Sequence, residues 1–108
     1  MMYELRVYQC MPGRLPDLNK RFETITLKMW EKRGIRPVGF WTTLVGASNH
    51  ELHYMLEWQD MAERERVFGG FMSDPEWHKV RAETEKNGPL VAKISNMFLA
   101  PTPYSKMK

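Results

Sequence analysis

Apolar and polar positions change rhythm several times along the chain, and each rhythm names an element. Tyr3 to Gln9, "YELRVYQ", alternates with a period of two and predicts a strand, after which Met11 to Pro16, "MPGRLP", turns the chain. Leu15, Leu18, Phe22, Ile25 and Met29 then recur at steps of 3, 4, 3 and 4, with Trp30 beside them, which predicts a helix with one buried stripe. Gly34 stands where a left-handed C-terminal residue belongs. Pro37 to Val45, rich in β-branched and aromatic residues, predicts a second strand; Gly46 to Asn49 turns it into a third, Glu51 to Trp58. Asp60 followed by Glu63 is an Asp version of the capping box, opening a helix through Met72. Asp74-Pro75 restarts it as a second piece that ends at Asn87-Gly88. Val91 to Leu99 predicts the last strand.

The order is β-α-β-β-α-β, the second helix being split. With right-handed crossovers it predicts an α+β, ferredoxin-like domain over residues 1–100, with an antiparallel four-stranded sheet and helices on one face; residues 101–108 form a proline-broken tail. The other face of such a sheet is ordinarily polar. Here Phe40 and Leu44 oppose Trp41 and Val45, Tyr54, Leu56 and Trp58 oppose Met55, and Met97 and Leu99 oppose Ile94 and Phe98, so both faces carry large apolar groups. A lone monomer would expose more apolar surface than soluble chains tolerate. The expectation is a homodimer or higher homo-oligomer, with two sheets packed face to face about a two-fold axis into one barrel.

Composition sharpens this picture in three places. Four Trp and nine Met among 108 residues call for a large buried core. The net charge of +3 is dispersed through mixed runs such as "EKRG" and "KVRAETEK", which removes the basic stripe that a nucleic-acid partner requires. The single cysteine, Cys10, forms no intrachain disulfide and reads as a small buried hydrophobe at a strand end. Without a basic leader, an apolar h-region or a membrane-length apolar run, a soluble cytoplasmic protein with no membrane partner is expected.

Candidate chemistry centres on "HELH", residues 50–53. In a strand His50 and His53 point to opposite faces, so no shared metal is expected. His53 and Glu57 share a face but lie about 13 Å apart along it. With Leu5 and Val7 turned to the helices, Arg6 and Tyr8 join His53, Met55 and Glu57 on the open face. Two readings of that cluster stand. In one, His53 is an acid/base group, Tyr8 a donor and Arg6 an anion holder for a small carbonyl ligand. In the other, an Arg6–Glu57 ion pair fixes dimer register and His53 bonds to Tyr8. Arg64 falls on the apolar helix face with Met61, Phe68 and Phe71. Either its stem covers core atoms while its head reaches a backbone carbonyl or solvent, or it receives a carboxylate ligand in the helix–sheet cleft. Trp30, Trp58 and Trp77 read as core, and Trp41 as the aromatic lining the barrel.

Three stretches, "YELRVYQCMPG" (Tyr3 to Gly13), "VGFWTTLVGASNHELHYMLEWQDMAER" (Val38 to Arg64) and "DPEWHKV" (Asp74 to Val80), resemble the NIPSNAP family of the dimeric α+β barrel superfamily. The specific elements are "YELR" with its following Pro-Gly, the run from Gly46 through Asn49 to His53, Arg64, and Asp74-Pro75 with Trp77. The resemblance implies the dimeric barrel and, from the wider superfamily, cofactor-poor monooxygenation, haem degradation or polyketide aldol chemistry in the cleft or barrel lumen. For NIPSNAP-like proteins themselves the implied activity is unsettled. The resulting expectation is a homodimer that binds a small hydrophobic carbonyl or phenolic ligand, as a cofactor-poor oxygenase or isomerase, without metal or cofactor. Its candidate residues are Arg6, Tyr8, Trp41, His53, Glu57 and Arg64. The alternative is a non-enzymatic binding or protein-interaction module.

Overall fold

Strands β1 (Met2–Cys10), β2 (Arg36–Thr42), β3 (Glu51–Trp58) and β4 (Val91–Leu99) pair in the order β2-β3-β1-β4, antiparallel throughout. The structure, a computed structural model, describes residues 1–108. The predicted ferredoxin-like arrangement is therefore what the chain adopts. β1 occupies the centre, with Arg6 opposite Tyr54 of β3 on one side and Asn96 of β4 on the other. Pro37, which has no N–H to give a ladder, lies at a register shift on the edge strand β2.

Strand β2 ends three residues earlier than its composition predicts. Thr42 pairs with Leu52 near the start of β3, so the chain beyond it has no backbone partner, and Leu44 and Val45 stand 97% and 94% exposed in the loop. A propensity for strand does not make one where no neighbour supplies the ladder.

The first helical arm runs through α1 (Leu15–Arg21), a π-helical turn (Phe22–Thr26) and α2 (Leu27–Arg33), and closes on Gly34 at φ 76°. The wider turn, with i→i+5 bonding, rotates α2 about the arm's axis relative to α1. Leu18, Phe22, Thr26 and Trp30 become the buried positions, while Ile25 and Met29 of the predicted stripe are only half-buried.

Helix α3 (Met61–Met72) starts as the capping box predicts: Glu63 N–H donates to Asp60 Oδ1 at 2.8 Å, and Glu63 Oε1 accepts from Gln59 N–H at 3.0 Å. Helix α4 (Pro75–Thr84) is capped by Asp74, which accepts from Glu76 N–H at 2.8 Å. It stops at Thr84, short of Asn87-Gly88, and the chain then turns through Gly88 at φ 116°.

Both arms lie on one face of the sheet. Leu18, Phe22 and Trp30 from the first arm and Phe68, Phe71 and Trp77 from the second meet Leu52, Tyr54, Leu56 and Trp58 of β3 in one core. Its centre is aromatic: Phe22 meets Trp30 edge to face at 5.5 Å, and Phe71 packs on Trp77 at 4.7 Å. The opposite face carries no helix. Trp41 and Met97 are 52% and 53% exposed there, and the Trp41 ring lies back over Gly39, where a Cβ would come within 2.9 Å of it.

Candidate ligand cleft between helices and sheet

The alternation of β1 is the reverse of the one expected. Glu4, Arg6 and Tyr8 turn toward the helices, and Leu5 and Val7 share the open face with Met55 and His53. The physical reason is Glu4. Its carboxylate, 0% exposed, accepts from Arg6 Nη1 (2.9 Å), Arg64 Nε and Nη2 (3.2 and 3.1 Å), Trp58 Nε1 (3.1 Å) and Asn96 Nδ2 (2.9 Å). Burial alone would raise the Glu4 carboxyl, yet the donors from Arg64, Asn96 and Arg6 outweigh it and hold the group below its ordinary value. A buried anion with two guanidiniums and two neutral donors is satisfied, and its strand can turn that way at little cost.

Arg64 therefore receives a carboxylate, but the protein's own: its guanidinium grips Glu4 and packs over Phe68 at 4.8 Å and Phe98 at 5.3 Å. Its head reaches no backbone carbonyl. The expected Arg6–Glu57 pair is absent as well. Glu57 lies on the open face against Arg36 at 3.4 Å, opposite it in the ladder. His53, paired with Trp41 across β2 and β3, meets Thr43 Oγ1 at 3.2 Å and Glu51 at 3.8 Å, and not Tyr8. The six candidates thus divide by face, with Arg6, Tyr8 and Arg64 under the helices and Trp41, His53 and Glu57 on the open side.

Arg6 organises the covered group. Its Nε donates to Tyr54 Oη at 2.7 Å and its Nη2 to Tyr8 Oη at 3.4 Å, while Tyr54 Oη donates to Tyr8 Oη at 3.0 Å. Burial pushes the Tyr54 hydroxyl well above the ordinary phenol range, so Tyr54 keeps the proton it donates. Tyr8 accepts from both neighbours, and its own O–H remains available to a third group.

That third group has a place to sit. Arg6 and Tyr8 line a cavity of about 310 Å³ between the sheet and both helical arms, walled by Phe22, Trp30, Phe68, Phe71, Trp77 and Ile94. Its lining also includes Arg21, Arg81 and Glu85. Arg21, buried, donates from Nη1 to Thr84 Oγ1 at 3.3 Å, lies 3.7 Å from Glu85 and packs over the Trp77 ring at 5.4 Å. Burial depresses the Arg21 guanidinium below its ordinary value, with Glu85 only partly offsetting it. Glu85 is itself shared with Arg81 at 3.1 Å.

Sequence reasoning missed Glu4, Arg21, Thr26 and Asn96. For Glu4 a signal existed, since Arg64 on an apolar helix face already required an anion. Arg21 lies three residues from Leu18, on the buried side, and was legible as another charge on a core stripe. Thr26 carried no such sign, because only the π-helical turn brings it inward.

The model of the NIPSNAP family matches residues 3–106. The chain belongs to the NIPSNAP family. Its solved relatives include an uncharacterized NIPSNAP-like domain protein from Burkholderia xenovorans, 22% identical, covering 96% of this chain and 87% of that one at a TM-score of 0.84. A NIPSNAP family protein with unknown function from Agrobacterium tumefaciens is 21% identical over 100% of this chain and 94% of its own, at 0.86. More distant is an MhuD mutant with two manganese protoporphyrin IX molecules bound per active site, 13% identical over 94% of each chain at 0.62. Identities this low carry the fold and nothing finer. No protein with a curated description matches the sequence. Within this NIPSNAP domain no helix is long and apolar enough to cross a membrane.

Proposed function

We propose that the helix–sheet cleft binds one small hydrophobic carbonyl or phenolic molecule. The observation that carries this reading is the aromatic-walled cavity ending on Tyr8, whose hydroxyl hydrogen is left free by Tyr54 and Arg6. A carbonyl or phenolic oxygen placed there accepts from Tyr8, and the Arg6 charge behind the two phenols favours negative charge on that oxygen. The volume is at the small end of ligand sites. The reading favours binding over turnover: His53, the expected acid/base group, faces away from the cleft, and Glu85, the one carboxylate lining it, is engaged by Arg81 and Arg21. Porphyrin, bound by the MhuD mutant, fits poorly, since no histidine lines this cleft and a cavity of about 310 Å³ suits one small ring system.

Native mass spectrometry of the purified protein against a library of aromatic ketones, phenols and aromatic acids tests the proposal. Compounds retained by the wild type should be lost from Ile94→Trp, which fills the cavity from the edge strand. Retention of none, or equal retention by both proteins, would overturn it.

The open face supports a second proposal, self-association. Leu5, Val7, Met55, Trp41, Met97 and Leu99 lie on that side of the sheet, the last two and Trp41 substantially exposed, and the same patch on a second copy is its natural cover.

A further inference from the structure

Five buried polar atoms find no hydrogen-bond partner within the protein; one, Arg14 Nε, lies 3.0 Å from the Asp17 carboxylate, and the other four are Arg21 Nε, Thr26 Oγ1, Trp30 Nε1 and Trp77 Nε1. These four belong to residues lining the same cavity, and each of these residues is more than nine-tenths buried. A buried donor without an acceptor carries its full desolvation penalty, so four around one cavity are not a neutral feature of a core. Three are N–H groups that can only donate, and the fourth is a hydroxyl that also can. Each is closed off from water, so a ligand meets them as the cavity wall adjusts around it, and the group that answers them is rich in acceptors.

Charge points the same way. Arg6, Arg21 and Arg81 line the cavity against one acid, Glu85, while the Lys93 side chain belongs to the open face beside Gln9. Arg6 is matched by Glu4 behind the wall, whereas Arg21 shares Glu85 with Arg81 and stands 3.7 Å from it. A buried guanidinium so loosely paired favours an incoming anion. The remaining wall is aromatic: Phe22, Trp30, Phe68, Phe71 and Trp77.

We infer that the ligand of this cleft is an organic anion, a carboxylate carried on a flat apolar body, with the carboxylate received by Arg21 and the indole N–H groups and the ring held among the aromatic side chains. This rests on the cleft being a ligand site, as proposed above, and adds the charge of what enters it. The carboxylate supplies acceptors to the unpartnered donors and a second countercharge to the Arg21–Arg81 pair, which shares the single acid Glu85.

The test compares naphthoate with acetonaphthone, in which a methyl group replaces one carboxylate oxygen, by calorimetric titration at neutral pH. Naphthoate should bind roughly ten- to a hundredfold more tightly, the range of one charge-assisted hydrogen bond. Arg21→Met should abolish that advantage while leaving acetonaphthone within about threefold, and Trp77→Phe, which keeps the ring and removes its N–H, should weaken naphthoate several-fold. If Arg21→Met fails to fold, Trp77→Phe and Thr26→Val decide the matter. Equal binding of the two compounds, unaffected by these variants, would overturn the anion and leave the cleft as a neutral site. Binding of neither would overturn both.

Discussion

On the helix-covered face of the sheet, the middle of β1 buries a glutamate and an arginine; on the other, the same strand turns Leu5 and Val7 toward Met55 and Met97. The polar pair is the more deeply buried of the two sets. Glu4 and Arg6 are enclosed because Arg64, Asn96, Trp58, Tyr54 and Tyr8 satisfy them, whereas the half-exposed apolar residues opposite have only each other. Burial therefore follows completeness of partners, and polarity alone does not say which face of a two-sided apolar sheet lies inside. One face is satisfied within the chain, and the other leaves Trp41 and Met97 about half exposed.

Breaking the polar set should have the largest effect. Glu4→Gln leaves Arg6 and Arg64 without their countercharge, and chemical denaturation should show a loss of about 3–5 kcal/mol. The pH dependence arises from the same group. The folded Glu4 carboxyl lies below its ordinary value of 4.5, so its contribution is complete above that value and is lost as the pH falls through the lower folded one. Acid unfolding of the wild type should steepen below pH 4.5, and Glu4→Gln, which lacks the group, should lose less stability over that interval.

Next comes the open face. Light scattering coupled to size exclusion should give at least twice the chain mass of 12.8 kDa, and Trp41→Asp should raise the dissociation constant by roughly thirtyfold or more, as for a central interface tryptophan. A wild-type monomer at micromolar concentration would rule out self-association. A smaller effect is expected at Gly39, where alanine would press its Cβ into the Trp41 ring 2.9 Å away. Gly39→Ala should cost about 1 kcal/mol and shift tryptophan fluorescence, while naphthoate affinity on the far face is unchanged. Smallest is the tail: residues 102–108 carry no helix or strand, and their deletion should change stability by less than about 0.5 kcal/mol.

The elements themselves were legible, because each is marked locally: the alternation of Glu51 to Trp58, the Asp60–Glu63 cap, the Asp74-Pro75 restart and the closing Gly34. What could not be read from neighbours in sequence is what depends on distant partners. The facing of β1 is fixed by Arg64, sixty residues from Glu4, and reversing it separated Arg6 and Tyr8 from His53 and Glu57. The inward turn of Thr26 depends on a π-helical turn with no marker in "FETIT". The early end of β2 depends on where β3 begins and hides behind the strand-forming character of Leu44 and Val45. The cleft therefore emerged from residues chosen for other reasons, Tyr8 and Arg6 among them, joined by Arg21, whose importance only the packing reveals.

As proposed, one sheet divides its labour, with an anion-binding cleft on the covered face and a self-associating surface on the open one. Four tryptophans report on both. In the indole N–H region of a proton–nitrogen correlation spectrum, Trp41 should move when the protein is diluted, and Trp30 and Trp77 when naphthoate is added. Trp58, held by Glu4 at 3.1 Å, should stay fixed through both. Movement of Trp41 on addition of naphthoate, with Trp30 and Trp77 remaining in place, would contradict that division.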